Sequence, residues 1–247
     1  MSFDLTTVDK IASLRRDTIR KFRQVGLLRT LDHGARKFVR DLKNSLTSHP
    51  ASRVDPFDLK HGTDTARIVS VGALDIRDND LEHSNRYEAV VPLVFNRIMV
   101  ELPIRHQDFT FVDIGCGKGR ALLLASTFAF RKIVGIDISQ QLIDIALHNI
   151  AVYHDGVMRC RDIEARCVDG RNFVPPPGDL VLYLNNPFDE QVMAALVDSV
   201  EQSLQVDQRK LFVVYQRPMH RAPWDRSTAF RQVHSSTRYV VYENIGS

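Results

Sequence analysis

Short apolar runs and helix-spaced stretches alternate along the chain from residue 108 onward. The runs "FTFVDIGC", "KIVGIDIS", "EARCVDG", "DLVLYLNN" and "KLFVVYQ" have the length and, for the most part, the β-branched and aromatic content of strands. Between most of them, over 118–129, 139–154 and 189–204, the apolar positions recur at helical intervals. Strands that alternate with helices imply right-handed βαβ units on a doubly wound, mainly parallel α/β sheet. Only "RNFVPPPGD" separates the third run from the fourth, and Pro175 to Pro177 prevent a full crossover helix there. The last stretch, "FRQVHSSTRYVVYEN", predicts two strands joined by a turn at His234 to Thr237, which would leave one antiparallel strand in the sheet.

Upstream the pattern differs. Residues 8–46 have helical spacing: Val8, Ile11, Leu14, Ile19, Phe22 and Val25 fall on one face, and Leu28, Leu31, Phe38, Leu42 and Leu46 on a second after a break near Gly26. The opposite faces carry Arg16, Arg20, Lys21 and Arg23, then Arg36, Lys37, Arg40 and Lys43. A basic amphipathic segment can bind an anionic membrane or RNA. Asp9, Asp17, Asp32 and Asp41 interrupt the positive field, which favours packing on its own domain or, as a homodimer contact, on a sister subunit. Next come the Pro- and Gly-punctuated loop "SHPASRVDPFDLKHGTDTA" and a helical stretch within 86–104. The expected division is therefore 1–50 as a basic helical extension, 51–105 as a covering loop and helix, and 106–247 as the main domain.

Composition narrows the class without identifying it. The 247 residues are 44% hydrophobic and 26% charged, with a formal net charge of +3. That balance is ordinary for a soluble globular protein and is no argument for nucleic acid as partner. Cys116, Cys160 and Cys167 are too few and scattered for a disulfide framework, and no CxxC pair or His spacing suggests a metal. The N-terminus shows no signal peptide and no apolar run is long enough to span a membrane, so a cytoplasmic setting is expected.

The chemistry concentrates in "FVDIGCGKGRALLLAS". A strand that ends in glycines and opens a helix brings backbone N–H groups close to a ligand. Dinucleotide enzymes want G-x-G-x-x-G, but here the third glycine would fall at Arg120 and stands instead at Gly119. The result is D-x-G-x-G-x-G, with Asp113 upstream. A carboxylate suits a ligand that bears an ammonium and a sulfonium, and suits a pyrophosphate poorly.

This arrangement resembles motif I of the class I S-adenosylmethionine-dependent methyltransferases. The resemblance implies a Rossmann-like, seven-stranded sheet and a cofactor held by Asp113, Gly115, Cys116, Gly117, Lys118 and Gly119. It also implies that Asp137, with Ile138 beside it, ends the second strand where the ribose hydroxyls bind. The alternative for Asp137 is a helix cap, for which Ser139 is better placed. Asp169 and Gly170 fall where the family places a polar residue near the adenine amino group, and the competing reading is a plain Asp-Gly turn. Asn185, Asn186, Pro187 and Phe188 resemble the (Asn/Asp)-Pro-Pro-(aromatic) signature of enzymes that methylate amino or amide nitrogens, with one proline where the family has two. There Asn186 and Pro187 would position the acceptor and Asn185 would contact the cofactor; otherwise they form a strand-end turn with Phe188 as core.

The resemblance covers roughly residues 60–247, and "HGTDTARIVSVGALDI", "FVDIGCGKGRALLLAS" and "YLNNPFDEQVM" together look like a sparsely characterised bacterial branch of the family. It implies transfer of a methyl group to a nitrogen of a protein or small molecule. Transfer to an oxygen of a small metabolite, a non-catalytic cofactor-binding module and an NAD-dependent oxidoreductase are the alternatives; the glycine spacing disfavours the last. "KHGTDTA" and Arg86 to Glu88 are the expected pieces of any loop that closes over the site.

Overall fold

The four central strands are buried on both faces, which is why they read as mostly apolar runs rather than alternating ones. They are β1 (Thr110–Ile114), β2 (Lys132–Asp137), β4 (Leu180–Asn185) and β5 (Leu211–Gln216). In the computed structural model, which describes residues 55–67, 69 and 89–246, they form the centre of a seven-stranded sheet. Its order is β3-β2-β1-β4-β5-β7-β6, with β3 (Ile163–Cys167) and β6 (Phe230–Ser235) as largely exposed edges. All pairings from β3 to β5 are parallel, and β7 (Tyr239–Asn244) runs against both β5 and β6. The single reversed strand expected from the C-terminal hairpin is present. The extension expected over 8–46, its homodimer contact and the Arg86–Glu88 loop piece lie outside the described residues.

The helices are α1 (Pro56–His61), α2 (Pro92–Glu101), α3 (Arg120–Ala125), α4 (Gln140–Val152), α5 (Glu190–Val206) and α6 (Ala222–Arg226) among the described residues. Successive residues of each strand feed opposite cores. Phe111, Val181 and Tyr183 pack with Phe95 and Ile98 of α2 and Leu122 of α3. On the other face Val112, Leu182 and Tyr242 pack with Met193 and Leu196 of α5 and Trp224 of α6. Each such side chain contributes roughly 1.5–3 kcal/mol on leaving water. Among the described residues no helix is long and apolar enough to cross a membrane.

Three details differ from expectation. Residues 56–61 form a helix inside the stretch read as loop. Asp55 accepts from the N–H groups of Phe57 and Asp58, Pro56 opens the first turn, and Gly62 closes the helix in the left-handed region at φ 69°. One and a half turns are too short to display a period, so only the caps could have announced it. The short α6 was likewise unforeseen, and β6 runs on through Ser235 before the turn to β7. Between β3 and β4 there is a single 3-10 turn at Gly170–Asn172, as the prolines require.

Candidate active site

Three strand ends meet where β1, β2 and β4 finish. After β1 the chain turns through Gly115, Gly117 and Gly119 at φ 77°, 53° and 83°, a path that side chains resist, and enters α3. The N–H groups of Gly115 and Cys116 donate to the Ile136 carbonyl at 2.9 and 2.8 Å, which pins the turn to the end of β2. Asp137 completes that attachment. Its Oδ2 accepts from the Gly117 N–H at 2.9 Å and its Oδ1 from the Ser139 N–H at 3.0 Å. Ser139, as expected, caps α4 through the Leu142 N–H.

Asp113, one residue before the end of β1, is only 3% exposed. Burial first, and the Asp137 carboxylate second, push its pKa well above the usual carboxylate range, and no hydrogen bond from the described residues offsets either. Tyr183 stands opposite it in the β1–β4 register, but the Tyr183 hydroxyl donates to Gln216 Oε1 at 2.5 Å. The result is a buried acid with an unanswered demand for positive charge.

The β4 end closes onto the glycine turn. Asn186 sits in the left-handed region at φ 50°, which swings Pro187 against Gly115. A Cβ on Gly115 would enter the van der Waals shell of the Pro187 Cβ and lie 3.5 Å from its Cγ. Phe188 covers Gly170, where a Cβ would stand 2.6 Å from the ring's Cζ. The "NNPF" segment thus touches both the turn after β1 and the turn after β3. Behind it the Tyr215 hydroxyl donates to Asn186 Oδ1 at 3.3 Å and accepts from the His220 N–H at 3.2 Å.

Other residues singled out from the sequence have different surroundings. Asp169 accepts from the Arg171 N–H at 2.9 Å and pairs with its guanidinium at 2.5 Å, the contacts of a turn-former. Cys116 turns inward and belongs to the core, where burial pushes its thiol well up. Half-buried Ile138 accepts at its carbonyl from the Cys167 thiol at 3.4 Å. Lys118 is 1% exposed, and its ammonium pairs with Asp64 at 3.1 Å. Asp64 lies within the "KHGTDTA" stretch expected to close over the site, but its pairing with Lys118 was not foreseen, and Asn149 was missed. The only advance signal was a polar Asn149 in line with Leu142, Ile143 and Ala146 on the buried face of α4.

Among the described residues no group of three or more His, Cys, Asp or Glu side chains is arranged to hold a metal ion. The sheet order with β7 alone reversed, and a glycine turn after β1 facing the ends of β2 and β4, is the arrangement implied by the sequence resemblance. The chain has the Rossmann-like methyltransferase fold.

Among solved structures with this methyltransferase fold, the chain is similar to a dimethyladenosine transferase from Plasmodium falciparum: 16% identity and TM-score 0.45, over 63% of this chain and 62% of that one. It is also similar to a ribosomal protein L11 methylase from Lactobacillus delbrueckii subsp. bulgaricus, with 16% identity and TM-score 0.42 over 62% and 74% of the two chains. A predicted N6-adenine-specific DNA methylase from Listeria monocytogenes gives 15% identity and TM-score 0.49 over 64% and 52%. The chain therefore spans between half and two thirds of the first and last of these. No protein-family model and no curated protein matches the sequence.

Proposed function

We propose that the chain is a methyltransferase that uses S-adenosylmethionine and delivers the methyl group to a nitrogen held beside Asn186. The observation that carries this reading is the buried Asp113 carboxylate, without a hydrogen-bond partner among the described residues, next to a turn whose Gly115 has no room for a side chain. A ligand with a fixed positive charge fits that acid and favours its ionised form, whereas a pyrophosphate would disfavour that form.

S-adenosylmethionine supplies, when bound, a methyl group already activated on a sulfonium. The task of the chain is then to bind, orient and exclude water. Asp113 and the Gly115–Gly119 turn hold the methionine end. Asp137, which ends β2 and accepts from the Gly117 and Ser139 N–H groups, offers its carboxylate to the ribose hydroxyls. Gly170 and Phe188 border the base, with Asp169 in reserve for its amino group. Asn186 and the Pro187 carbonyl accept from the acceptor's N–H groups and aim its lone pair. Residues 106–247 form the catalytic unit, and the free cysteines support a reducing, cytoplasmic setting.

Calorimetry with S-adenosylmethionine, S-adenosylhomocysteine and NAD tests the cofactor, and only the first two should bind. Release of S-adenosylhomocysteine with amine and amide acceptors tests turnover. Binding without turnover on any acceptor class would leave a cofactor-binding module.

A further inference from the structure

Lys118 and Arg120 flank the last glycine of the turn, yet their side chains are only 1% and 4% exposed. Buried cations require partners, and a buried cation without one would lower its charge or expel itself. Among the described residues, every ionic partner of these two comes from one segment, Asp55 to Thr65. Lys118 meets Asp64 at 3.1 Å. Arg120 meets Asp55 at 2.7 Å and Asp58 at 3.4 Å, and its Nε donates to Thr65 Oγ1 at 2.6 Å.

The segment is shaped to offer these groups. Asp58 accepts from the hydroxyls of Thr63 and Thr65 at 2.7 and 2.5 Å, and from the N–H groups of Thr65 and Ala66 at 2.9 and 2.7 Å. That folds residues 58–66 back so that Asp64 faces the glycine turn. Asn149 then ties the two together. Fully buried on α4, it donates from Nδ2 to the Lys118 carbonyl at 2.9 Å and to the Asp64 carbonyl at 3.2 Å, and its Oδ1 accepts from the Asp64 N–H at 2.9 Å. Three of the four hydrogen bonds an amide can make are spent on joining residue 64 to residue 118.

We infer that Asp64, Lys118 and Asn149 form a latch that sets the shape of the glycine turn, and that they act as positioning residues for the ligand the turn holds. The inference rests on the cofactor reading above. With the latch closed, the Lys118 carbonyl is fixed from the side of α4 and the turn meets its ligand preorganised. With the latch open, ligand binding must also order the turn, and affinity falls by that ordering cost.

The test uses the full chain with Asp64→Asn, Lys118→Met, the double variant and the conservative Lys118→Arg. S-adenosylhomocysteine affinity is measured by calorimetry at a temperature where each variant's melt shows it fully folded, so that a merely structural role leaves affinity unmoved. Each single charge removal should weaken binding about tenfold, the loss expected when a charge-assisted contact of modest strength is removed. The double variant should be no worse than the poorer single, and Lys118→Arg should bind nearly as the parent. Equal affinity in the folded singles, or losses that add in the double, overturn the latch. Amide hydrogen exchange of the ligand-free protein gives a second readout: Gly117 to Gly119 should exchange about tenfold faster in Asp64→Asn while α5 is unchanged. Unchanged exchange at the turn also overturns it. A parent protein that binds neither cofactor form sinks the methyltransferase reading instead, and the exchange result still decides the latch.

Discussion

Pro187 packs against Gly115, so the end of β4 and the turn after β1 share one contact surface. That contact couples the expected acceptor side of the site to the expected cofactor side. Gly115→Ala would place a methyl group inside the Pro187 ring's volume at a residue with φ 77°. The left-handed backbone alone costs about 1–2 kcal/mol for a residue with a Cβ, and displacement of Pro187 adds to it. The variant should show a lower denaturation midpoint together with losses in both cofactor affinity and turnover. A variant that melts and binds like the parent would show that the two loops move independently.

Asp113 should cost stability in the ligand-free protein. Its folded pKa is raised above the unfolded value, first by burial and then by Asp137, so the folded state binds the proton more tightly. Stability therefore falls as pH rises from the unfolded pKa through the folded one, and the penalty is fully present above both. Asp113→Asn should match the parent in acid and melt higher than it towards alkaline pH, in thermal scans between about pH 4 and 9. The same substitution should weaken S-adenosylmethionine binding roughly 10- to 150-fold, the range for a lost bond to a charged group of about 1.5–3 kcal/mol. Cofactor binding to the parent should release a proton over the pH range where Asp113 is protonated. A less stable Asn variant, or binding with no proton release at any pH, would remove Asp113 from the cofactor's positive end.

Asp58 works in the opposite direction. Burial raises its pKa, but the hydrogen bonds from Thr65, Thr63 and Ala66 together outweigh that and hold it below its ordinary value. A depressed carboxyl contributes stability that is present above the unfolded pKa and lost as pH falls through the folded one. Acid should therefore loosen residues 55–67 before the sheet melts. Limited proteolysis at falling pH should cut this segment first. Simultaneous loss of segment and sheet signals would contradict the expectation.

These assignments divide by how far along the chain their causes lie. The strands and their parallel winding were legible because β4 and β5 are apolar up to their last residue and the helical stretches between the strands keep their period. The glycine turn was legible because its backbone demand is local. The burial of Lys118 was not, since its partner Asp64 lies 54 positions away and no local pattern distinguishes a buried lysine from a solvated one. Asn149 reaches residue 64 across 85 positions, and in sequence it is merely one polar residue on an apolar stripe. Asp137 was legible as a site residue, yet its hold on the Gly117 N–H depends on β2 lying beside β1 in register. Phe188 against Gly170 was invisible for the same reason.

Asn186 provides the sharpest test of the nitrogen acceptor. The residue stands at φ 50°, a region that asparagine tolerates better than most, and its Oδ1 accepts from the Tyr215 hydroxyl. That bond holds the amide in place at the end of β4, where the proposed acceptor would sit. Burial raises the Tyr215 pKa, so its hydroxyl stays neutral and keeps its proton to donate. Asn186→Ala would combine amide loss with backbone strain, so Asn186→Gly is the cleaner probe, since it removes the amide and relieves the left-handed conformation. Turnover should fall about 100-fold or more, because the lost contact orients the acceptor at the reacting centre. S-adenosylhomocysteine affinity should stay within about threefold, the cofactor being held mainly by Asp113, the turn and Asp137. Tyr215→Phe should show a smaller loss of turnover in the same direction, since it frees the amide to rotate without removing it. If the product carries the new methyl on oxygen or sulfur, or Asn186→Gly turns over like the parent, the nitrogen acceptor is wrong even though cofactor binding stands.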